Sequence, residues 1–443
     1  MKQEITIYPV HGARAHFKIK AESALRTGQC LVLARRSGRF QRRLLAMVET
    51  STFETLEAAR THTALPDVFG PTMRPAWLAE TGTKQKEDRE MVVWEEYLTG
   101  TLTVLGEIDN DSRVKKLHRV ELEPGTMLAV DAEKEVLTDY FGTVEPKEDS
   151  EGVEFTAPLV VGGLLLNPGV HVALNAVGFN RHTALLAQSG SGKSNALGVI
   201  LEELVARTTA RILVIDPNGD FNLINELSEE GELDQQFKVK FKLQKEKIAV
   251  ISDPKLTTHK EMAGGIARQA QRAPRIAILD FSSLDPLVWS KAAEDVLDFI
   301  WEFRDAKKAI IIAIDEAHNF APDTERTENK SLLDLLIRIA GEGRKYGLWL
   351  ILASQRPQKL HPNIITQCDN LILMRLISRS DVNHIAGAFS YASPEMIELS
   401  YGFDIGEGLT VGRIVRAPTL LKFRKRYTRE GGGDIPNDWA KPT

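Results

Sequence analysis

Cysteine is nearly absent: Cys30 and Cys368 are the only two in 443 residues. Two thiols so far apart exclude a disulfide scaffold and point to a reducing compartment, and no Cys/His spacing of the zinc type occurs. Long apolar runs are missing too. The most apolar region, 159–179, is interrupted by Asn167, Pro168, His171 and Asn175 and reads as strands, not as a membrane span. Met1-Lys2-Gln3-Glu4 leads into an alternating stretch without the apolar core of a signal peptide, so the expected location is the cytoplasm, with no membrane partner. There is no excess of positive charge either. Lys plus Arg number 56 against 61 Asp plus Glu, a net charge of -5, which excludes a chain that coats nucleic acid over its whole surface. A local basic patch or an inner pore stays possible. What remains is an ordinary globular composition, 43% hydrophobic and 26% charged, in a chain long enough for two or three domains.

Residues 1–150 carry short alternating segments, at 4–10, 31–34, 44–49, 102–108, 118–122 and 127–130, separated by turn residues such as Pro124-Gly125. Short strands at close spacing predict a small N-terminal β-barrel or sandwich. Charge is uneven there. Between His11 and Leu45 nine basic residues (Arg14, Lys18, Lys20, Arg26, Arg35, Arg36, Arg39, Arg42, Arg43) face a single acid, Glu22. This is either a solvated barrel face or a surface for DNA phosphates or an acidic neighbour. The hydrophilic run 145–152 reads as a linker, placing a domain boundary near 150. From about Arg181 the pattern changes to unalternating apolar runs, at 183–187, 211–215, 275–280, 309–314 and 348–353, with helical patterns between them. Runs of this kind are strands buried on both faces, so residues 151–428 are expected to form an α/β domain with a mostly parallel sheet. Residues 429–443, rich in glycine and polar side chains, read as a flexible tail in which Trp439 is the one docking candidate.

The run Ala187-Gln-Ser-Gly-Ser-Gly-Lys-Ser194 follows the first of these strands and opens a helix. It matches G-x-x-x-x-G-K-[ST] except that Ala187 stands at the first glycine. Gly190 and Gly192 let successive N–H groups face a phosphate, and the helix N-terminus adds partial positive charge. Gln188, Ser189, Gly190, Ser191, Gly192, Lys193, Ser194 and Asn195 are therefore the candidate ATP contacts. Lys193 would reach the β- and γ-phosphates, and the Ser194 hydroxyl would ligate Mg²⁺. A second strand ends in Asp315-Glu316: Asp315 is the candidate metal acid and Glu316 the candidate to polarise the attacking water. The competing strand ending in Asp280 is followed by Phe281, not glutamate, and reads as core. A third strand ends in Ser354-Gln355, where an amide can sense the γ-phosphate. Arg344 lies in the glycine-flanked turn before that strand, exposed either as a surface arginine or as one aimed at a neighbour's nucleotide.

In this order, the P-loop, Ile-Asp-Glu-Ala-His-Asn-Phe320, Gly-Arg-Lys-Tyr-Gly347 and Ala-Ser-Gln-Arg-Pro357 resemble the HerA branch of the HerA/FtsK ATPases. Arg181-His182, Asp216-Pro-Asn-Gly-Asp-Phe221, Ser380-Asp381 and Gly406-Glu-Gly-Leu409 agree with it. The resemblance covers about 159–425 and implies a RecA-like core behind a small barrel. It implies that Lys193 and Ser194 hold phosphate and Mg²⁺, and that Asp315 and Glu316 are the metal acid and catalytic glutamate. It further makes Gln355 a sensor, Arg344 an arginine inserted in trans across a ring interface, and Arg181 a second nucleotide-linked arginine. Ala187 and the Asp-Pro-Asn-Gly-Asp form of the second-strand motif depart from the family pattern, which leaves the role of Asp220 open.

The expected function is that of an ATP-driven, homo-hexameric motor. It would thread double-stranded DNA through its pore and work with a nuclease in end processing, or with an effector in anti-phage defence. The segments around Lys238, Lys240 and Lys242 and around 326–330 are candidates to line the pore. The alternatives are a ring that scaffolds and regulates an effector enzyme with little motor output, and a secretion-type ATPase.

Overall fold

The computed structural model describes residues 3–11, 13–20, 25–35, 42–58, 93–117, 122, 124–144, 147–148, 154–155, 158–228, 247–252, 260–261, 264–266, 275–324 and 329–432. They form two compact units, Met1–Ala132 and Glu133–Thr443. The pore candidates Lys238, Lys240, Lys242 and Arg326, the basic Arg36 and Arg39, and Trp439 in the expected tail lie outside the described residues.

The first unit contains β1 (Gln3–His11), β2 (Arg14–Lys20), β3 (Cys30–Arg35), β4 (Arg43–Ala58), β5 (Val93–Ile108), β6 (Val114–Lys115) and β7 (Gly125–Asp131). The order is β2-β1-β7-β3-β4-β5-β6, and β2 also pairs with β5. Six antiparallel strands thus close into a barrel, which leaves none of the six with a bare edge. Strict alternation fills it: β2 turns Ala15, Phe17 and Ile19 inward to meet Ile5, Ile7, Leu33, Val48 and Leu102. At Gly100 a Cβ would fall 2.0 Å from the Thr50 carbonyl, so only glycine lets β5 cross the bulge of β4 between Val48 and Thr50. The basic stretch is partly committed within the barrel. Arg14 pairs with the buried Glu49 at 3.0 Å, Arg42 pairs with Glu107 at 3.0 Å, and the Lys18 ammonium sits 3.6 Å over the Tyr97 ring.

The second unit opens with α1 (Lys134–Phe141), which buries Val136, Leu137, Tyr140 and Phe141. Within this unit β8 (Lys147–Glu148) pairs with β9 (Glu154–Phe155); the rest of the run 145–152 lies outside the described residues. The remaining strands are β10 (Pro158–Leu164), β11 (His171–Asn175), β12 (His182–Leu186), β13 (Arg211–Asp216), β14 (Ile248–Ile251), β15 (Ile276–Asp280), β16 (Ile310–Ile314), β17 (Leu348–Ser354), β18 (Cys368–Met374), β19 (Glu407–Val411) and β20 (Thr419–Phe423). They form one sheet, β11-β10-β20-β19-β18-β12-β17-β16-β13-β15-β14. From β18 to β14 every pairing is parallel, while the pairings among β18, β19, β20, β10 and β11 are antiparallel. Every residue of β12, β15 and β16 is buried, as the unalternating apolar runs require. Helix α2 (Lys193–Arg207) follows β12 and packs on β10, β12 and β20. The helices Pro286–Glu302 and Lys330–Glu342 pack on one another between later strands. The sheet order puts the P-loop strand β12 beside β17, and β16 beyond it, so the ends of all three strands converge on one edge. This is the α/β core behind a β-barrel that the sequence leads one to expect.

Candidate active site

The chain leaves β12 at Leu186 and turns through the P-loop into α2. Gly190 and Gly192 take φ of 71° and 94°, and Gly192 caps the helix. Left-handed backbone costs a Cβ-bearing residue energy that glycine escapes. Ala187 keeps negative φ, is fully buried, and donates its N–H to Ser354 O at 3.1 Å. It follows the last residue of β12 and needs no left-handed backbone, which explains why alanine serves where the pattern has glycine. The loop is braced on its other side: Gln188 N–H donates to Arg375 O at 2.8 Å and Gly406 N–H to Ser191 O at 2.9 Å. The first turn of α2 leaves amides without partners inside the helix, and these form an anion cradle.

Lys193 is 4% exposed and turns onto the tip of β16. Its ammonium contacts Asp315 and lies 3.0 Å from Glu316 Oε1. Burial alone would lower its pKa, but Asp315 and Glu316 outweigh burial and hold it above the ordinary lysine value. One cation therefore faces two buried carboxylates. Asp315 Oδ2 has no hydrogen-bond partner although it is fully buried, and a divalent cation fits that excess of negative charge. No three His, Cys, Asp or Glu side chains among the described residues are grouped to bind a metal alone. This suits Mg²⁺, which is normally held by one or two protein oxygens together with nucleotide phosphates.

Glu316 sits at φ 45°, a left-handed conformation uncommon for a residue with a Cβ and typical of functional positions. Gln355, just past β17, donates its side-chain amide to Glu316 Oε1. His318 Nδ1 lies 3.3 Å from Glu316 Oε2 and 3.1 Å from Ser354 Oγ. Burial lowers the His318 pKa against the pull of Glu316, with Arg356 and Lys193 acting in the same direction as burial.

Ser194 donates its hydroxyl to Asp220 Oδ2 at 2.6 Å. Asp220 stands on the loop after β13, and buried Asp216 organises that loop. Asp216 Oδ1 accepts the N–H groups of Asn218, Gly219 and Asp220, and Oδ2 accepts that of Phe221 at 2.8 Å. Burial pushes the Asp216 carboxyl up to about 7, opposed by the Phe221 N–H and reinforced by Asp315, Asp220 and Asp280. The loop is held from behind by the buried Arg426, which donates to the Asp220 carbonyl at 3.2 Å and lies 5.4 Å over the Phe221 ring. Arg426 was not legible as a site residue, since no motif surrounds it. The one hint is Gly198 in α2, where a Cβ would come 2.8 Å from Arg426 Nε.

Three candidate residues stand away from this loop, among them Arg344, which was expected to act in trans. The Asn195 side chain donates to Arg424 O and accepts from Arg426 N–H, so it joins α2 to the chain after β20 and does not face the loop. Arg344 is exposed in the turn Gly343–Tyr346, at the start of β17, whereas Gln355 follows the end of that strand. Seven strand residues span roughly 23 Å. Arg181 precedes β12 at the same far edge, pairing with Asp369 at 3.0 Å and donating to Asn180 O and Oδ1. Neither arginine reaches the phosphate loop of its own chain. The sheet is polarised accordingly. The tips of β13, β15 and β16 carry Asp216, Asp280, Asp315 and Glu316, while Arg181, Arg344, Lys308, Arg211 and Arg275 stand at the opposite strand ends.

Comparison with known proteins agrees with this geometry. The family model "Helicase HerA, central domain" matches residues 159–250, and that of the ATPase family associated with various cellular activities matches 260–376. A probable helicase of Methanocaldococcus jannaschii is 27% identical, over 76% of this chain and 79% of that protein. The DNA double-strand break repair helicases HerA of Saccharolobus solfataricus and Pyrococcus furiosus are 26% and 23% identical, over 63% and 80% of this chain and 71% and 82% of theirs. Among solved structures, VirB4 of Thermoanaerobacter pseudethanolicus aligns with a TM-score of 0.39 at 14% identity, over 63% of this chain and 98% of that one. The genome packaging NTPase B204 of Sulfolobus turreted icosahedral virus 2 aligns with a TM-score of 0.38 at 14% identity, over 56% of this chain and 98% of its own. With a P-loop, an acid pair and an amide assembled on three neighbouring parallel strands, the chain is an ATPase, and the proteins it is similar to are HerA-type helicases.

Proposed function

We propose that this ATPase is the subunit of a closed homo-hexameric ring that translocates on double-stranded DNA and serves a partner nuclease or defence effector. One observation carries the ring: Arg344 and Arg181 occupy the sheet edge opposite their own phosphate loop. A head-to-tail contact presents that basic edge to the acidic edge of the next subunit, and repeating it with rotation closes a ring. Each site is then complete only at an interface.

Within the site Lys193 leaves its two acids for the β- and γ-phosphates as ATP enters. Ser194 and Asp315 are the residues that would hold Mg²⁺, which would supply neutralisation of phosphate charge. Glu316, freed of Lys193, takes up the attacking water and polarises it, while Gln355 reports whether the γ-phosphate is present. Arg344 of the neighbouring subunit stabilises charge that develops on the γ-phosphate.

The DNA reading draws on the HerA relatives, which are named as DNA double-strand break repair helicases. The test is ATP turnover with and without linear duplex DNA. A motor accelerates when duplex is added. Unchanged turnover, with ATP still bound, favours the alternative of a ring that scaffolds and regulates its effector.

A further inference from the structure

The sheet edge remote from the phosphate loop carries a row of like charges. Lys247, Arg275 and Arg211 stand at the starts of β14, β15 and β13, three neighbouring strands. Ile276 is in register with both Ile248 and Ile212, which sets the three cations side by side one residue earlier. The backbone joins them: Arg275 N–H donates to Lys247 O at 2.7 Å, and Ile212 N–H donates to Arg275 O at 2.8 Å. Neighbouring strands lie about 4.8 Å apart, and like charges opposite one another at that spacing destabilise a sheet. Part of the row has a structural use, since Arg275 donates to Val205 O and Thr208 O at the C-terminal end of α2. That use does not account for Arg211 beside it or for the exposed Lys247.

The row borders a cavity of about 1040 Å³. Val177, Phe179, Leu204, Ile311 and Trp349 give it an apolar wall, and no aspartate or glutamate is among its described lining residues. The Trp349 indole N–H is buried and has no acceptor among the described residues. Burial and Arg211 both lower the Arg275 pKa, so the surroundings disfavour the charge that the row repeats. Helix α2 runs for 15 residues from Lys193 to Arg207, roughly 22 Å. The cavity lies at its C-terminal end and the phosphate loop at its N-terminal end, so the two are separate places.

We infer that this cavity is a second ligand site, one that takes an organic phosphate: a phosphate monoester dianion on a flat apolar body. The phosphate lies against Arg211, Arg275 and Lys247, and the apolar body enters along Phe179, Ile311 and Trp349. Guanidinium groups match phosphate oxygens through paired, charge-assisted hydrogen bonds. A dianion offsets more of a triple positive charge than a single carboxylate does. A flat ring packs on the faces of Phe179 and Trp349 and leaves water in doing so. Neither the ring nor the DNA reading is needed for this site.

Phenyl phosphate carries both parts without a triphosphate or a metal, and serves as the probe, with inorganic phosphate and benzoate as controls for each part. Isothermal titration and tryptophan emission follow binding to the full chain at slightly alkaline pH, and a melting curve checks the fold of each variant. The wild type should bind phenyl phosphate more tightly than either control. Arg211→Gln and Lys247→Gln should each weaken it by ~10-fold or more, the order for one lost charge-assisted contact, while Lys193→Ala leaves it unchanged. The emission change on binding should vanish in Trp349→Phe. Lys247 is exposed, so its variant carries the test should Arg211→Gln not fold. A wild type that binds no phenyl phosphate, or binds benzoate equally well, overturns the site. Binding that Lys193→Ala weakens and Arg211→Gln and Lys247→Gln do not would belong to the phosphate loop, and an emission change that persists in Trp349→Phe would place the probe elsewhere. Either result also overturns it. So does a complex that dissociates in Arg211→Gln while the wild type binds no probe, which would give the row of cations to the neighbouring subunit.

Discussion

Lys193 Nζ lies 3.0 Å from Glu316 Oε1, so the lysine that is to meet phosphate and the glutamate that is to polarise water hold one another. In the proposed cycle phosphate oxygens would draw Lys193 away, and Glu316 would then be able to take water. Glu316→Gln should therefore keep ATP binding, since it removes a competitor for Lys193, and cut turnover by ~10²-fold or more, the order for loss of a general base. Lys193→Ala should lose both affinity and turnover. Turnover near wild type in Glu316→Gln would mean that another group activates water.

The site was largely legible because its parts are local. The P-loop, Asp315-Glu316 and Gln355 each sit at the end of an apolar run, and a parallel sheet collects such ends on one edge. Less legible was whatever depends on partners far away in sequence. Arg424 binds Glu202 and Glu203, and Thr428 donates its N–H and its hydroxyl to Glu202 Oε1, across more than 200 residues, so nothing local ties that segment to α2. In strand β2 the charges of Arg14, Lys18 and Lys20 mask an alternation that Ala15, Phe17 and Ile19 keep. Strand β18 opens with Cys368-Asp369-Asn370, which looks like a loop. Asn370 is nevertheless fully buried, because it donates to Gly178 O and Thr183 Oγ1 and accepts from Arg413 N–H.

His182, at the edge that carries Arg181 and Arg344, gives a pH dependence. Burial pushes its pKa down from 6.5 to about 4, with Arg344 and Arg181 adding and Asp369 opposing, and Nδ1 accepts the Leu350 N–H at 2.9 Å. The folded value lies below the unfolded one, so between these values the unfolded chain binds more protons. Stability from this group is complete above pH 6.5 and is lost as pH falls toward 4, on the order of 3 kcal/mol from the size of the shift. Denaturant midpoints at pH 7.5 and pH 5 should fall less on acidification in His182→Gln than in the wild type. Identical losses in the two proteins would remove His182 from the account.

Duplex binding offers a separate check. A net charge of -5 requires that any grip on DNA come from a local basic lining. Contacts to phosphate release counterions, so affinity for duplexes of unrelated sequence should fall steeply and alike between 50 and 200 mM salt, roughly 10³-fold or more if six or more phosphates are held. Binding that ignores salt, or that demands one base sequence, would contradict a translocase.

The position of Arg344 makes the sharpest prediction. It lies at the start of β17 and Gln355 follows the end of that strand, so the arginine cannot serve the phosphate loop of its own chain. If it serves a neighbour, Arg344→Ala should be inactive alone, since such arginines contribute ~10³–10⁵ in rate. Glu316→Gln is inactive for a different reason, in its own site. Rings assembled from the two variants contain interfaces where the intact Glu316 of one subunit meets the intact Arg344 of the next, and those interfaces should hydrolyse ATP. Two different tags recovered in one complex confirm the mixing, and ATPase assays on that complex read the outcome. Were Arg344 to act within its own subunit, every site in the mixed ring would lack one of the two groups. A verified mixed ring with no recovered turnover would therefore remove Arg344 as a residue acting in trans, and with it the reason that this chain needs a ring.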